Sequence, residues 1–148
     1  MTSSKTRVAA LFADRQLADR AIHVLQARGI SHRNISELSS ELELEVAQLE
    51  GINIVGEMAP AAIAAIESLR HLHPIVDWQA VFRSLGLPAR MAALYCGHLR
   101  KGHWMIVARV SNASVPLNQL MLELLGGRHA IAFSPECAAP AAWRTLAG

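Results

Sequence analysis

The chain has 148 residues, the size of one ordinary domain. Hydrophobic residues make up 52% of it and charged residues only 18%, which excludes a disordered tail and a basic nucleic-acid arm. The net charge of +2 is too small for a surface that neutralises a phosphate backbone, so no nucleic-acid partner is expected.

In chain order, Arg7–Phe12 is a short apolar run and reads as a strand. Asp14 offers an N-cap, and Leu17, Ala18, Ala21, Ile22 and Leu25 follow at helical spacing up to Gly29. His32–Leu38 reads as a second strand, which closes a β-α-β unit over residues 7–38. Residues 39–102 are too many for a simple loop and read as a helical insertion. Ser40 and Glu43 form a capping box before Val46 and Leu49. Pro60 opens an alanine-rich helix, Asp77 caps a short one ended by Gly86, and Pro88 starts another that ends at Gly102. Residues 103–134 then repeat the first plan. His103–Val110 is a strand, Leu117 to Leu125 is a helical stripe stopped by Gly126 and Gly127, and Arg128–Phe133 is the last strand. The tail 135–148 carries Trp143 as a docking anchor.

Two β-α-β units of matching length predict a single α+β domain. Its expected core is a ferredoxin-like, four-stranded antiparallel sheet with the helical insertion between its halves. Side chains alternate along strands. Val8, Ala10 and Phe12 share one face with Trp104, Ile106, Ala108 and Val110, while Ala9, Leu11, Met105 and Val107 share the other. Both faces are apolar, so the second face needs a cover. The candidates are the insertion helices or a second copy of the chain. A homodimer through the sheet face or the insertion helices is the expected partner state.

The run Gly86, Pro88, Ala92, Tyr95, Leu99 and Gly102 resembles the general stress protein domain of bacterial heat- and low-temperature-induced proteins. The opening Val8–Phe12 with its helix and Gly29, and the closing Leu124–Gly127 before a strand, fit the same pattern. The resemblance implies a ferredoxin-like core and a stress-related or regulatory role. It carries no active site across.

Cys96 and Cys137 are too few for a disulfide framework, which points to a reducing, cytoplasmic setting. The first residues lack the apolar run of a leader. The longest nearly uncharged stretch, residues 51–66, falls short of the roughly 20 apolar residues a membrane span needs. No catalytic arrangement is legible and no cofactor is implied, so a non-enzymatic binding or self-associating protein is expected. Tyr95, His98 and Trp104 are the candidate residues for a small-molecule ligand at the junction of insertion and sheet. The alternative is a metal- or cofactor-binding protein using His71, His73, Cys96, His98 and His103. Pairs two apart on a helix point away from each other, so those histidines need a frayed helix or the Gly102 turn to converge.

Overall fold

The computed structural model describes residues 5–40, 52–69 and 77–134. The described chain is α+β. Its elements are β1 (Lys5–Phe12), α1 (Arg15–Ala27), β2 (Ile35–Ser39), β3 (Asn53–Gly56), α2 (Ala59–Leu69), α3 (Trp78–Ser84), α4 (Ala89–Arg100), β4 (Trp104–Ser111), α5 (Val115–Leu124) and β5 (Arg128–Phe133). The strands form one open antiparallel sheet in the order β3-β2-β4-β1-β5.

Local chemistry starts these elements where it should. The Asp14 carboxylate accepts the Leu17 N–H at 2.9 Å and Asp77 accepts the Ala80 N–H at 3.2 Å, each satisfying a donor that the first helical turn leaves open. β1 and β4 form the central pair, with Val8 opposite Ala108, Ala10 opposite Ile106 and Phe12 opposite Trp104. Those six side chains point to one face. There they pack with Ala18, Ala21 and Leu25 of α1 and Leu122 of α5. The reverse face carries Ala9, Leu11, Leu38, Met105 and Val107. It is covered by Ala62 and Ile66 of α2, by Trp78, Val81 and Phe82 of α3, and by Ala92, Tyr95, Cys96 and Leu99 of α4. Helices therefore lie on both faces of the sheet.

This decides what covers the second face: helices of the same chain fill it. An apolar side chain buried there contributes about 1.5–3 kcal/mol before entropy, and α2–α4 collect that gain without a second copy. A homodimer has no bare sheet face to use among the described residues. The large apolar side chains left most open are on α5, where Leu117 and Leu120 are about half exposed and Leu124 is 76% exposed.

Three expectations need correction. The sheet has five strands, not four, and the fifth comes from the segment expected to be wholly helical. β3 has only four residues, of which Ile54 alone is buried, so it offers no alternation to detect. It is held instead by pairing with β2 and by what flanks it. The Met58 N–H donates to Ser36 Oγ at 2.8 Å, and Arg7 forms a two-pronged ion pair with Glu57 at 2.8 and 3.1 Å. Second, His32–Asn34 is a 3-10 turn rather than strand, with Ser31 Oγ accepting the Arg33 N–H. Third, the strand of the second unit begins at Trp104, because His103 belongs to the turn that closes α4. Glu43 of the expected capping box, His71, His73, Cys137 and Trp143 lie outside the described residues.

Candidate functional site: a histidine cleft at one end of the sheet

α4 ends in a geometry that its sequence dictates. Gly102 takes φ +92°, a left-handed conformation open to glycine at little cost. The Gly102 N–H then donates to the Leu99 carbonyl and the His103 N–H to the His98 carbonyl, both at 3.1 Å. This is the Schellman closure, which sets the residue after the glycine against the side chain five positions earlier. Apolar residues often occupy that pair of positions. Here both are histidines.

Their Nδ1 atoms lie 2.8 Å apart and their rings stack with centroids 4.9 Å apart. Only one of the two Nδ1 atoms can carry a proton in this contact, so the pair holds opposite tautomers when neutral. A second proton on the pair would remove the acceptor and break the bond. A third imidazole, His129, lies 5.5 Å from His98 between ring centroids. His129 stands at φ +55°, where β5 carries an irregularity against β1 between Ala9 and Leu11. That conformation is unfavourable for most residues with a side chain. Tyr95 holds it in place: from the core, its phenol lies 2.5 Å from the His129 carbonyl and 3.3 Å from the Ala9 carbonyl, donating to them.

The electrostatics are one-sided. Partial burial holds the His98 imidazolium below its ordinary range, and His103, His129, Lys101 and Arg128 push in the same direction. No carboxylate opposes them there. His98, His103 and Arg128 line a cleft of about 310 Å³ whose remaining wall includes Phe12 and Leu17. It joins cationic donors to an apolar wall and, among the described residues, is lined by no nucleophile and no carboxylate.

No family model matches the chain, and neither does any curated protein or solved structure. The resemblance to the general stress protein domain rests on the quoted residues alone.

Of the residues singled out from the sequence, His98 and His103 meet. Tyr95 and Trp104 do not join them in one pocket. Tyr95 is fully buried on the α2–α4 face, where burial pushes its phenol far above the ordinary range. Trp104 is buried on the opposite face, with the Arg15 guanidinium 5.8 Å from its ring centre. Cys96 is buried beside Tyr95 in the α4 stripe, and desolvation pushes its thiol up to about 11 although Arg100 pulls the other way. It packs as a small apolar group. Among the described residues, no three His, Cys, Asp or Glu side chains stand where they could hold one metal ion. Among the described residues no helix is long and apolar enough to cross a membrane.

The sequence reading overlooked Arg128 and His129. The available signal was a cationic pair directly after Gly126–Gly127, at a strand start that otherwise reads as plain apolar alternation.

Proposed function

We propose that this protein is a non-enzymatic binding module that takes a small organic anion, an apolar body bearing a carboxylate, in the histidine cleft. The observation that carries this reading is the 2.8 Å Nδ1–Nδ1 contact of His98 and His103 in a cleft lined also by Arg128 and, among the described residues, by no carboxylate. A bound carboxylate supplies the missing negative charge, accepts hydrogen bonds from Arg128 and the imidazolium, and rests its apolar part against Phe12 and Leu17. Because the anion favours the charged histidines, binding takes up protons. Affinity therefore rises as pH falls, and because His98 is held below its ordinary range the rise continues into more acid solution. The stress-related or regulatory setting and the cytoplasmic location belong to the same proposal and come from the resemblance and the cysteine count. The strand order β2-β4-β1-β5, with α1 and α5 on one face, supports a ferredoxin-like frame extended at one edge by β3.

The test is a titration with benzoate followed by the histidine ring-proton NMR signals. Saturable binding is expected, tighter at about pH 6 than at about pH 7.5 and weakened about tenfold by Arg128→Gln or His103→Gln. Absence of saturation at either pH overturns the reading, as does equal affinity in both variants.

A further inference from the structure

The opposite end of the sheet gathers a second set of cations around a separate cavity. Lys5 opens β1, Arg28 follows the last residue of α1, and Arg109 lies two residues before the end of β4. With Asn34, Ser111 and Ser114 they line a cavity of about 360 Å³. No Asp or Glu lines it. Among the described residues, none of the three cations has an ion-pair partner. The contrast with Arg7 is direct, because Arg7 stands opposite Arg109 in the β1–β4 register and has Glu57 to itself. One arginine of this cross-strand pair is neutralised, and the other is left beside two more positive charges.

The wall is set before any ligand arrives. Ser114 Oγ donates to the Ser111 carbonyl at 2.9 Å, and Ser111 Oγ donates to Ser114 Oγ at 3.0 Å. The Asn118 amide donates to the Ser114 carbonyl at 2.9 Å. These bonds fix the turn after β4, so the polar wall loses little freedom on binding. Guanidinium forks match the tetrahedral oxygens of phosphate, and three cations balance a multiply charged anion better than a single carboxylate. The volume falls in the range of small-molecule sites.

We infer that the Lys5–Arg28–Arg109 cavity is a binding site for the phosphate group of a phosphorylated molecule, separate from the histidine cleft. It contains no histidine, so its affinity follows the ionisation of the phosphate and rises with pH, opposite to that of the cleft. The two sites stand or fall independently.

Isotope-labelled full-length protein titrated with inorganic pyrophosphate at physiological salt tests this. Saturable amide shifts confined to residue 5 and to residues 28–34 and 109–118 are expected, with tighter binding at about pH 8 than at about pH 6 as the ligand loses protons. Arg28→Gln with Arg109→Gln should weaken binding at least about tenfold, and the matching lysine pair should weaken it less. All three cations are exposed, so these variants keep the fold, which the rest of the spectrum verifies. Phosphatidylcholine vesicles with and without phosphatidic acid separate the sources of the phosphate. Arginine-dependent sedimentation with the acidic vesicles assigns it to a lipid headgroup, whereas pyrophosphate binding without sedimentation assigns it to a free ligand. Shifts that do not saturate, that spread to Arg15, Arg20 and Arg83, or that persist unchanged in the glutamine pair overturn the inference.

Discussion

The two faces of the sheet are filled in different ways. The face under α1 and α5 receives small and aliphatic side chains from its helices, such as Ala18, Ala21, Leu25 and Leu122, each helix lying inside one of the two repeated units. The face under α2–α4 holds Trp78, Phe82 and Tyr95, brought in by one long connection between β2 and β4. The first face is local, and the hydroxyl bond described there, from Ser114 to the Ser111 carbonyl, stays within one turn. The second sends the Tyr95 phenol across to two strands and positions His98 at the end of α4. The difference teaches that the repeated units supply the frame and most of the charged groups, while the connection brings His98 and the Tyr95 phenol to them.

The sharpest way to break that comparison is to loosen the second cover alone. Gly86 joins α3 to α4 at φ +111°, and a Cβ there would lie 1.9 Å from the Ser134 carbonyl oxygen. Both the backbone and the contact are backbone matters that no rotamer change can relieve. Gly86→Ala should cost roughly 2–5 kcal/mol, adding left-handed strain to overpacking. Chemical denaturation measures the loss. Hydrogen exchange then shows whether protection falls first in α2–α4; uniform loss over both faces would mean that the layers are one cooperative unit.

A smaller effect comes from the ion pair that ties β1 to the turn after β3. Arg7 and Glu57 are only 12% and 13% exposed. Glu57→Ala leaves the guanidinium partly buried without its carboxylate and should cost about 1–3 kcal/mol. Arg7→Leu with Glu57→Leu should cost less than the single change, because no orphan charge remains. Denaturation curves of the two variants and the parent protein check this, and a double variant that loses more than Glu57→Ala would overturn it.

Tyr95→Phe tests the link from core to cleft. Removing the hydroxyl leaves the His129 and Ala9 carbonyls without that donor and should cost about 1–2 kcal/mol. The comparison predicts more than a stability loss. Freed from the phenol, His129 leaves its left-handed conformation and its ring signal shifts, while the His98–His103 signals change as their neighbour moves. A stability loss with unmoved histidine signals would make Tyr95 a packing residue only.

The legibility of the sequence follows the same division. β1, α1 and β4 could be read because their apolar runs and spacing match what is buried, and local caps such as Asp14 mark helix starts; α5 was read as a helix with its stripe misplaced, since Asn118 and Leu122 are buried while Leu117, Leu120 and Leu124 are exposed. β3 could not, since a strand with one buried residue has no period. The His98–His103 contact was within reach because the glycine after α4 reverses the chain between them, a local rule. The third histidine was not. Its place depends on an irregularity in strand pairing and on a phenol 34 residues away in sequence, neither of which a linear pattern encodes. Tyr95 and Trp104 were grouped because they are near in sequence, yet the helix and the strand deliver them to opposite faces.

The smallest expected effect is on the first face. Glu37 lies in β2 opposite Ile106, and burial raises its carboxyl above the ordinary range; Asp19 of α1 pushes the same way and Arg15 opposes it. An acid whose folded pKa is raised binds protons more readily in the folded state than in the unfolded one. The folded state is therefore favoured below the unfolded pKa, near 4.3, and that advantage is lost as pH rises through the raised value. At neutral pH the ionised Glu37 works against folding. Glu37→Gln should stabilise the protein at pH 7 by about 0.5 kcal/mol or less, since the group is only half-buried and partly screened. The gain should vanish on acidification below about pH 4, where the native carboxyl is already neutral. Thermal unfolding of both proteins across that range reads the difference. A gain that persists in acid would assign it to packing, and a loss at pH 7 would mean that Arg15 outweighs both burial and Asp19, making even the local face depend on a specific charge pair.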